Sequence, residues 1–278
     1  MLDRYMMTRL IDLWLAEDIG SGDLTSATMI DAQAHGSFRM NAREPQTVAG
    51  LEVAAEVFRR YDPSLSVTPT AKDGDNVSKG TCLLTVSGPA RSVLTAERTA
   101  LNVVQHLSGI ATETARFVKE IAGTKAKLID TRKTNPGLRM LEKHAVVCGG
   151  GTNHRLGLDG GVMIKDNHIA VSGSIKAAVA RARANIPVLT KIEVECDRLE
   201  QVREALEASA DVIMLDNMSL ADMRKAVDMV GGRVPIEASG GVRFETVRAI
   251  AETGVDFIST SRITQAAPAV DIGLDEAG

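Results

Sequence analysis

From residue 109 onward, short apolar runs alternate with amphipathic stretches. Strand-like runs are expected at residues 127–129, 162–164, 189–194, 212–215, 234–236 and 255–258. Between the later ones, residues 199–208 and 220–230 repeat apolar positions at helical spacing. Short buried strands alternating with helices predict a parallel sheet, and this many repeats predict a barrel or a partial one. The first third reads differently. Residues 10–16 have a helical pattern, 17–23 are turn-rich, and 37–42 and 65–69 are strand-like. Residues 72–84, KDGDNVSKGTCLL, alternate turn residues with brief apolar runs, the pattern of tight β-hairpins. Residues 91–107 predict a long helix whose apolar positions nearly circle the axis, marking it as buried or interfacial. Arg98 shares a face of that helix with Leu94 and Leu101, so it either snorkels over apolar surface or reaches a partner's anion. The change of pattern divides the chain into an N-terminal α/β domain over residues 1–108 and a barrel domain over 109–278.

Composition narrows the class. A chain of 278 residues, 44% hydrophobic and 24% charged, is long enough for a substantial core and reads as globular. No apolar run approaches the roughly 20 residues of a membrane span. The N-terminal residues include Asp3 and Asp12 and lack the pattern of a signal peptide. Cys82, Cys148 and Cys196 are odd in number and form no C-x-x-C, which suggests neither a disulfide framework nor a zinc site. The expectation is a reduced, cytoplasmic chain that engages no membrane.

The net charge is −4, yet cations crowd into Asp130-Thr131-Arg132-Lys133-Thr134, Asn153-His154-Arg155 and Ile164-Lys165-Asp166-Asn167-His168. A local cationic well in an acidic protein implies a small polyanionic substrate; nucleic acid calls for a broad basic face. The first and third clusters close apolar strands, and the other strands end on Glu195, on Asp216-Asn217, on Glu237-Ala238-Ser239-Gly240-Gly241 and on Ser259-Thr260-Ser261-Arg262. The C-terminal rim of an α/β barrel is where its catalytic groups stand. Glu195 and Asp216, on separate strand ends, are the candidates for holding Mg²⁺ through oxygen; the alternative is pairing with nearby lysines and arginines. Glu193 shares the strand face of Glu195 and is either a reserve ligand or a partner for a cation deeper in the barrel. Ser239-Gly240-Gly241 is either a backbone phosphate cradle or a plain strand-to-helix turn. Gly149-Gly150-Gly151 does not fit a dinucleotide fingerprint. Lys165 suits anion binding better than Schiff-base chemistry in so cationic a setting. His154 and His168 are candidates for acid–base work or for neutral donors.

Taken together, Thr131 to Arg139 (TRKTNPGLR), Gly149 to Leu158 (GGGTNHRLGL) and Ile164 to His168 (IKDNH) closely resemble the quinolinate phosphoribosyltransferases. The likeness runs on through Glu17-Asp18, Gly22-Asp23-Leu24-Thr25, Glu97 to Asn102, Met214 to Met218 and Glu237 to Gly241, nearly the whole chain. The resemblance implies an N-terminal mixed α/β domain and a C-terminal open (incomplete) α/β barrel of fewer than eight strands. It implies Mg²⁺-dependent, decarboxylating transfer from phosphoribosyl pyrophosphate to quinolinate, giving nicotinate mononucleotide. It assigns Arg132, His154, Arg155 and Lys165 to the quinolinate carboxylates. Arg98 would come from the neighbouring subunit of a homodimer, which a higher oligomer can contain. Lys133, Glu195 and Asp216 would handle phosphoribosyl pyrophosphate and Mg²⁺, with Thr131 among the substrate contacts. Ser239, Gly240, Gly241, Thr260 and Ser261 would take the 5′-phosphate. Lys133, Lys165, Glu195 and Asp216 form the expected catalytic set.

The loop 260–265, TSRITQ, departs from the Val-Gly-Ala-Leu-Thr-His-like segment of many relatives. Arg262 is expected to compensate with a charge-assisted phosphate contact worth ~1.5–3 kcal/mol, unless it points to solvent or pairs with an acid. Two rival functions remain open on the residues: a Schiff-base aldolase or decarboxylase using Lys165, and a molybdate-transport-associated relative without this activity.

Overall fold

The computed structural model describes residues 3–277, and the chain divides into two units, each discontinuous in sequence. The first takes the residues up to Ala115, Asn135–Gly150 and those from Ala267 on. Helix α1 (Arg4–Ile19) starts behind Asp3, whose carboxylate accepts from the Tyr5 amide. Asp23 caps α2 (Leu24–Met29) in the same way and accepts from Thr95 Oγ1 at 3.0 Å, so it is a structural tie. Strands β1 (His35–Ala42) and β2 (Gln46–Thr47) precede α3 (Leu51–Tyr61), which buries Leu51, Val53, Ala54, Val57 and Phe58. Strands β3 (Ser66–Pro69), β4 (Asn76–Val77) and β5 (Cys82–Pro89) follow.

The turns expected over 72–84 form, but β4 and β5 make no tight hairpin with each other; β5 instead pairs antiparallel with β3 across the whole stretch. β4 pairs with β2, and β5 lies between β1 and β3. Turn chemistry decides where a chain bends; distant sequence decides which strand fills the edge. Helix α4 (Ala90–Glu120) runs past the 91–107 pattern, and the division read at 108/109 falls inside it. A glycine usually ends such a run, but a Cβ on Gly109 would come within 2.1 Å of the Pro268 carbonyl oxygen. Gly109 is small to admit another stretch of backbone. Helix α5 (Arg139–Cys148) also belongs to this unit.

The second unit carries six parallel strands. These are β6 (Lys127–Ile129), β7 (Val162–Ile164), β8 (Ile192–Cys196), β9 (Val212–Asp216), β10 (Ile236–Ser239) and β11 (Phe257–Ser259). Their order is β6-β11-β10-β9-β8-β7. Among the described residues a single bridge, Ile129 to Thr152, extends the sheet beyond β6, and β6 and β7 do not pair, so the barrel is open between them. After β7 come α6 (Asp166–Ser172) and α7 (Ile175–Asn185); α8 (Leu199–Glu207), α9 (Leu220–Val230) and α10 (Phe244–Ala251) separate the later strands. The last strand, β12 (Ile272–Glu276), pairs with β1 in the first unit's sheet, ordered β12-β1-β5-β3.

Period-2 alternation sorts the barrel strands. Outward positions are apolar: Ile164, Ile192, Val194, Ile213, Leu215, Ile236, Ala238 and Ile258 are all buried. They meet Val179, Val202, Met223, Val230, Val247 and Ile250 of the surrounding helices, and this layer is the core. Fully burying each aliphatic side chain contributes about 1.5–3 kcal/mol. Inward positions mix polar groups, Lys127, Glu193, Glu195, Asp216, Glu237, Ser239 and Ser259, with apolar ones such as Met163, Val212, Met214 and Phe257. Among the described residues, no helix is long and apolar enough to cross a membrane.

Candidate active site

The inward positions open on a cavity of about 600 Å³ in the second unit. Thr131, Arg132, Lys133, His154, Arg155, Lys165, Glu195, Asp216, Ser239, Gly240 and Gly241 all line it. These expected residues come from five strand ends and the 153–155 turn. Buried Asp130, directly after β6, fixes that turn: its carboxylate accepts from Asn153 Nδ2 at 2.6 Å and from the His154 amide at 2.8 Å.

His154 points its Nε2 at two buried carboxylates, Glu193 Oε2 at 3.0 Å and Glu237 Oε2 at 3.4 Å. Burial alone would discharge the ring, but these acids outweigh it and raise its pKa to about 9. His154 is therefore an imidazolium at neutral pH. Burial pushes the Glu237 carboxyl up, against the opposing pull of His154. The other oxygens of both acids, Glu193 Oε1 and Glu237 Oε1, are buried without a hydrogen-bond partner. Glu193 is thus the partner of a deep cation. Arg155 is pinned by its Nη1 donating to the Gly161 carbonyl at 2.9 Å. Burial and the neighbouring Arg132 cation both push the Arg155 pKa down, the mark of a well built for an anion.

Lys165 stands at the N-cap of α6, and its Nζ pairs with Glu195. An amine whose nitrogen is engaged with a carboxylate is poorly placed for nucleophilic attack. His168 is exposed; its Nδ1 accepts from the Lys165 amide at 3.0 Å, so it caps the helix and does not line the cavity. Asp216 takes a hydrogen bond from Asn217 Nδ2 at 2.8 Å and pairs with no cation among the described residues.

Beside this space lies a smaller hollow of about 350 Å³, lined by Lys133, Ser239 to Arg243 and Thr260 to Arg262. The Ser239-Gly240-Gly241 turn needs its glycines. Gly240 has φ +84°, and a Cβ there would meet Asn217 Oδ1 at 2.3 Å. Ser259 Oγ bonds Ser239 Oγ at 3.0 Å, and Thr264 Oγ1 donates to the Lys133 carbonyl at 2.9 Å, tying the last loop to the first. Arg262 is exposed on the rim of this hollow and pairs with no acid among the described residues. Arg243 joins it there. Sequence reasoning missed Arg243, although its position two residues after Gly241, at the N-cap of α10, was a usable signal. Asp130 and Glu237 were also missed as supporting groups, for their partners are set by packing. Arg98 lies on an exposed position of α4 in the first unit and is not among the lining residues.

Comparison with known proteins decides the family. The model described as "Quinolinate phosphoribosyl transferase, N-terminal domain" matches residues 23–108, and the C-terminal domain model matches residues 110–275. The chain belongs to the quinolinate phosphoribosyltransferase family. It is 47% identical over 264 residues to a probable nicotinate-nucleotide pyrophosphorylase [carboxylating] of Synechocystis sp., covering 94% of this chain and 89% of the relative. Over 267 residues it is 44% identical to the Mycobacterium leprae nicotinate-nucleotide pyrophosphorylase [carboxylating], covering 94% of each. The nicotinate-nucleotide pyrophosphorylase structure from Francisella tularensis superposes with a TM-score of 0.94 at 40% identity, covering 99% of this chain and 98% of that one. Within the family frame, the two-domain α/β architecture and the cation-rich cavity belong together: the fold supplies strand ends, and the strand ends supply the charges.

Proposed function

We propose that this chain transfers the phosphoribosyl group of phosphoribosyl pyrophosphate to the ring nitrogen of quinolinate, releasing pyrophosphate and CO₂ and yielding nicotinate mononucleotide for NAD biosynthesis. One observation carries the reading: a single cavity in a member of this family joins Arg132, His154, Arg155 and Lys165 to the carboxylates of Glu195 and Asp216. The four cations hold the two carboxylates of quinolinate. Lys133, with Thr131, binds the phosphosugar. Ser239, Gly240, Gly241, Thr260, Ser261 and Arg262 take its 5′-phosphate in the adjoining hollow.

As the bond from the anomeric carbon to pyrophosphate breaks, positive charge develops on the ribose, and Glu195 and Asp216 stabilise it. Once the nitrogen is ribosylated, the pyridinium accepts the electron pair left at C2 when CO₂ departs, and C2 then takes a proton. No Schiff base or organic cofactor is needed. Glu195 and Asp216 fit Mg²⁺, since both are hard oxygen donors lining one cavity and Asp216 is not committed to a cation. Held there by Glu195 and Asp216, Mg²⁺ would supply charge neutralisation at the pyrophosphate leaving group. We infer a homodimer in which exposed Arg98 serves the partner subunit's site, and a cytoplasmic setting suited to three free thiols.

The test is CO₂ release from carboxyl-labelled quinolinate. Release that requires both phosphoribosyl pyrophosphate and Mg²⁺ supports the proposal. Release without phosphoribosyl pyrophosphate, together with borohydride trapping of substrate on Lys165, would overturn it in favour of Schiff-base decarboxylation.

A further inference from the structure

The first unit gathers a carboxylate, an imidazole and a thiol that do not line the cation-rich cavity and have no role in the proposed reaction. Asp73 Oδ2 lies 2.8 Å from His144 Nε2, and Cys148 Sγ lies 3.5 Å from the same nitrogen. His144 and Cys148 are one turn apart on α5, while Asp73 arrives from a loop 71 residues before His144. The three ligand atoms lie within 4.8 Å of one another, and all three residues are half-buried, so an ion from solvent can reach them.

We propose that Asp73, His144 and Cys148 bind one zinc-class divalent cation, with water as the fourth ligand. The geometry supports it. Tetrahedral zinc with bonds of about 2.0 Å to nitrogen and about 2.3 Å to sulfur separates those two ligands by about 3.5 Å. The His144–Cys148 distance already has that value. Tetrahedral nitrogen and oxygen ligands stand about 3.4 Å apart, so Asp73 and His144 must part by roughly half an ångström. Asp73 is held for the task, because its carboxylate accepts from the Gly50 and Leu51 amides, each at 3.0 Å. A carboxylate offers about four acceptor sites, so these bonds leave room for a metal. A thiolate beside an imidazole selects zinc, cobalt or copper over Mg²⁺ or Ca²⁺. No C-x-x-C or H-E-x-x-H pattern marks the site, since its third ligand is distant in sequence.

The experiment is titration of the chelator-treated full chain with Co²⁺ in excess Mg²⁺, which occupies hard oxygen sites. One equivalent of Co²⁺ should produce a thiolate-to-cobalt charge-transfer band with four-coordinate d–d bands, and one equivalent of Zn²⁺ should abolish both. Cys148→Ser should remove the charge-transfer band and weaken Zn²⁺ binding at least about 100-fold, and His144→Gln should weaken it comparably. Neither residue lines the catalytic cavity, so Mg²⁺-dependent activity in metal-free buffer should persist and report that both variants are folded. A band absent from the parent protein, or one that survives Cys148→Ser or His144→Gln at unchanged affinity, would overturn the proposal. Asp73 and His144 would then be an ion pair that caps α3.

Discussion

The substitution Glu193→Gln isolates what the buried acids do for His154. Glu193 Oε2 is 3.0 Å from His154 Nε2. At an effective dielectric of about 20, a charge at that distance is worth ~5 kcal/mol, an upper limit of about 4 pH units. Glutamine keeps the shape and still offers an oxygen, and Glu237 remains at 3.4 Å. About half of that limit is therefore expected, moving His154 from about 9 to ~7. At pH 8 the imidazolium population would fall about ten-fold, and the KM for quinolinate would rise about as much. At pH 6 both proteins carry the cation, and the two KM values should converge. Titration of the His154 ring by NMR measures the pKa directly. Thermal melting supplies a second arm. The folded-state pKa exceeds the unfolded value of about 6.5, so the stabilisation is complete below that pH and is lost as pH rises through about 9. The parent's melting temperature should fall across that window more steeply than the variant's. An equal KM defect at pH 6 and pH 8, or an unmoved His154 titration, would refute the reasoning.

Three further outcomes are expected. Arg262→Ala should raise the KM for phosphoribosyl pyrophosphate about ten-fold and spare that for quinolinate, because Arg262 lines the hollow proposed for the 5′-phosphate and pairs with no acid among the described residues; steady-state kinetics with each substrate varied would detect an unchanged value. Glu195→Ala or Asp216→Ala should cut turnover by about two or more orders of magnitude while quinolinate still binds in a calorimetric titration, since its proposed partners are the cations. A comparable loss of binding would reverse that division of labour. Mixing inactive Arg98→Ala with inactive Lys165→Ala subunits should restore part of the activity; confirmed subunit exchange with no recovery would end the shared-site idea.

Much of the barrel was legible because its code is local. Lys127–Ile129, Val162–Ile164 and Leu220–Val230 form with the boundaries read from apolar runs and helical spacing alone. Their polar ends were legible for a related reason: a charge directly after a buried strand must stand at the rim. What stayed hidden depends on residues brought together from far apart. The apolar pattern of α4 was read only to residue 107, while the helix runs to Glu120, and the Pro268 backbone explains why position 109 must be glycine. Turn residues over 72–84 announced bends, not partners: β5 does pair with nearby β3, but β4 joins β2 and β5 also joins β1, partners that no local pattern could nominate.

The same distinction runs through the site. Sequence alone assembled the cations, but it could not say which would be charged by environment, and it left His154 and His168 equivalent. Packing separates them. His154 hangs over Glu193 and Glu237 and is held as an imidazolium, whereas His168 spends its Nδ1 on a backbone amide. Glu193 on β8 and Glu237 on β10 flank β9, in register with its Val212 and Met214 respectively. Their convergence on one nitrogen is a product of sheet register, and it makes two costly buried acids the reason that the His154 ring is held charged. Removing those acids should therefore weaken recognition of a dianion they never touch.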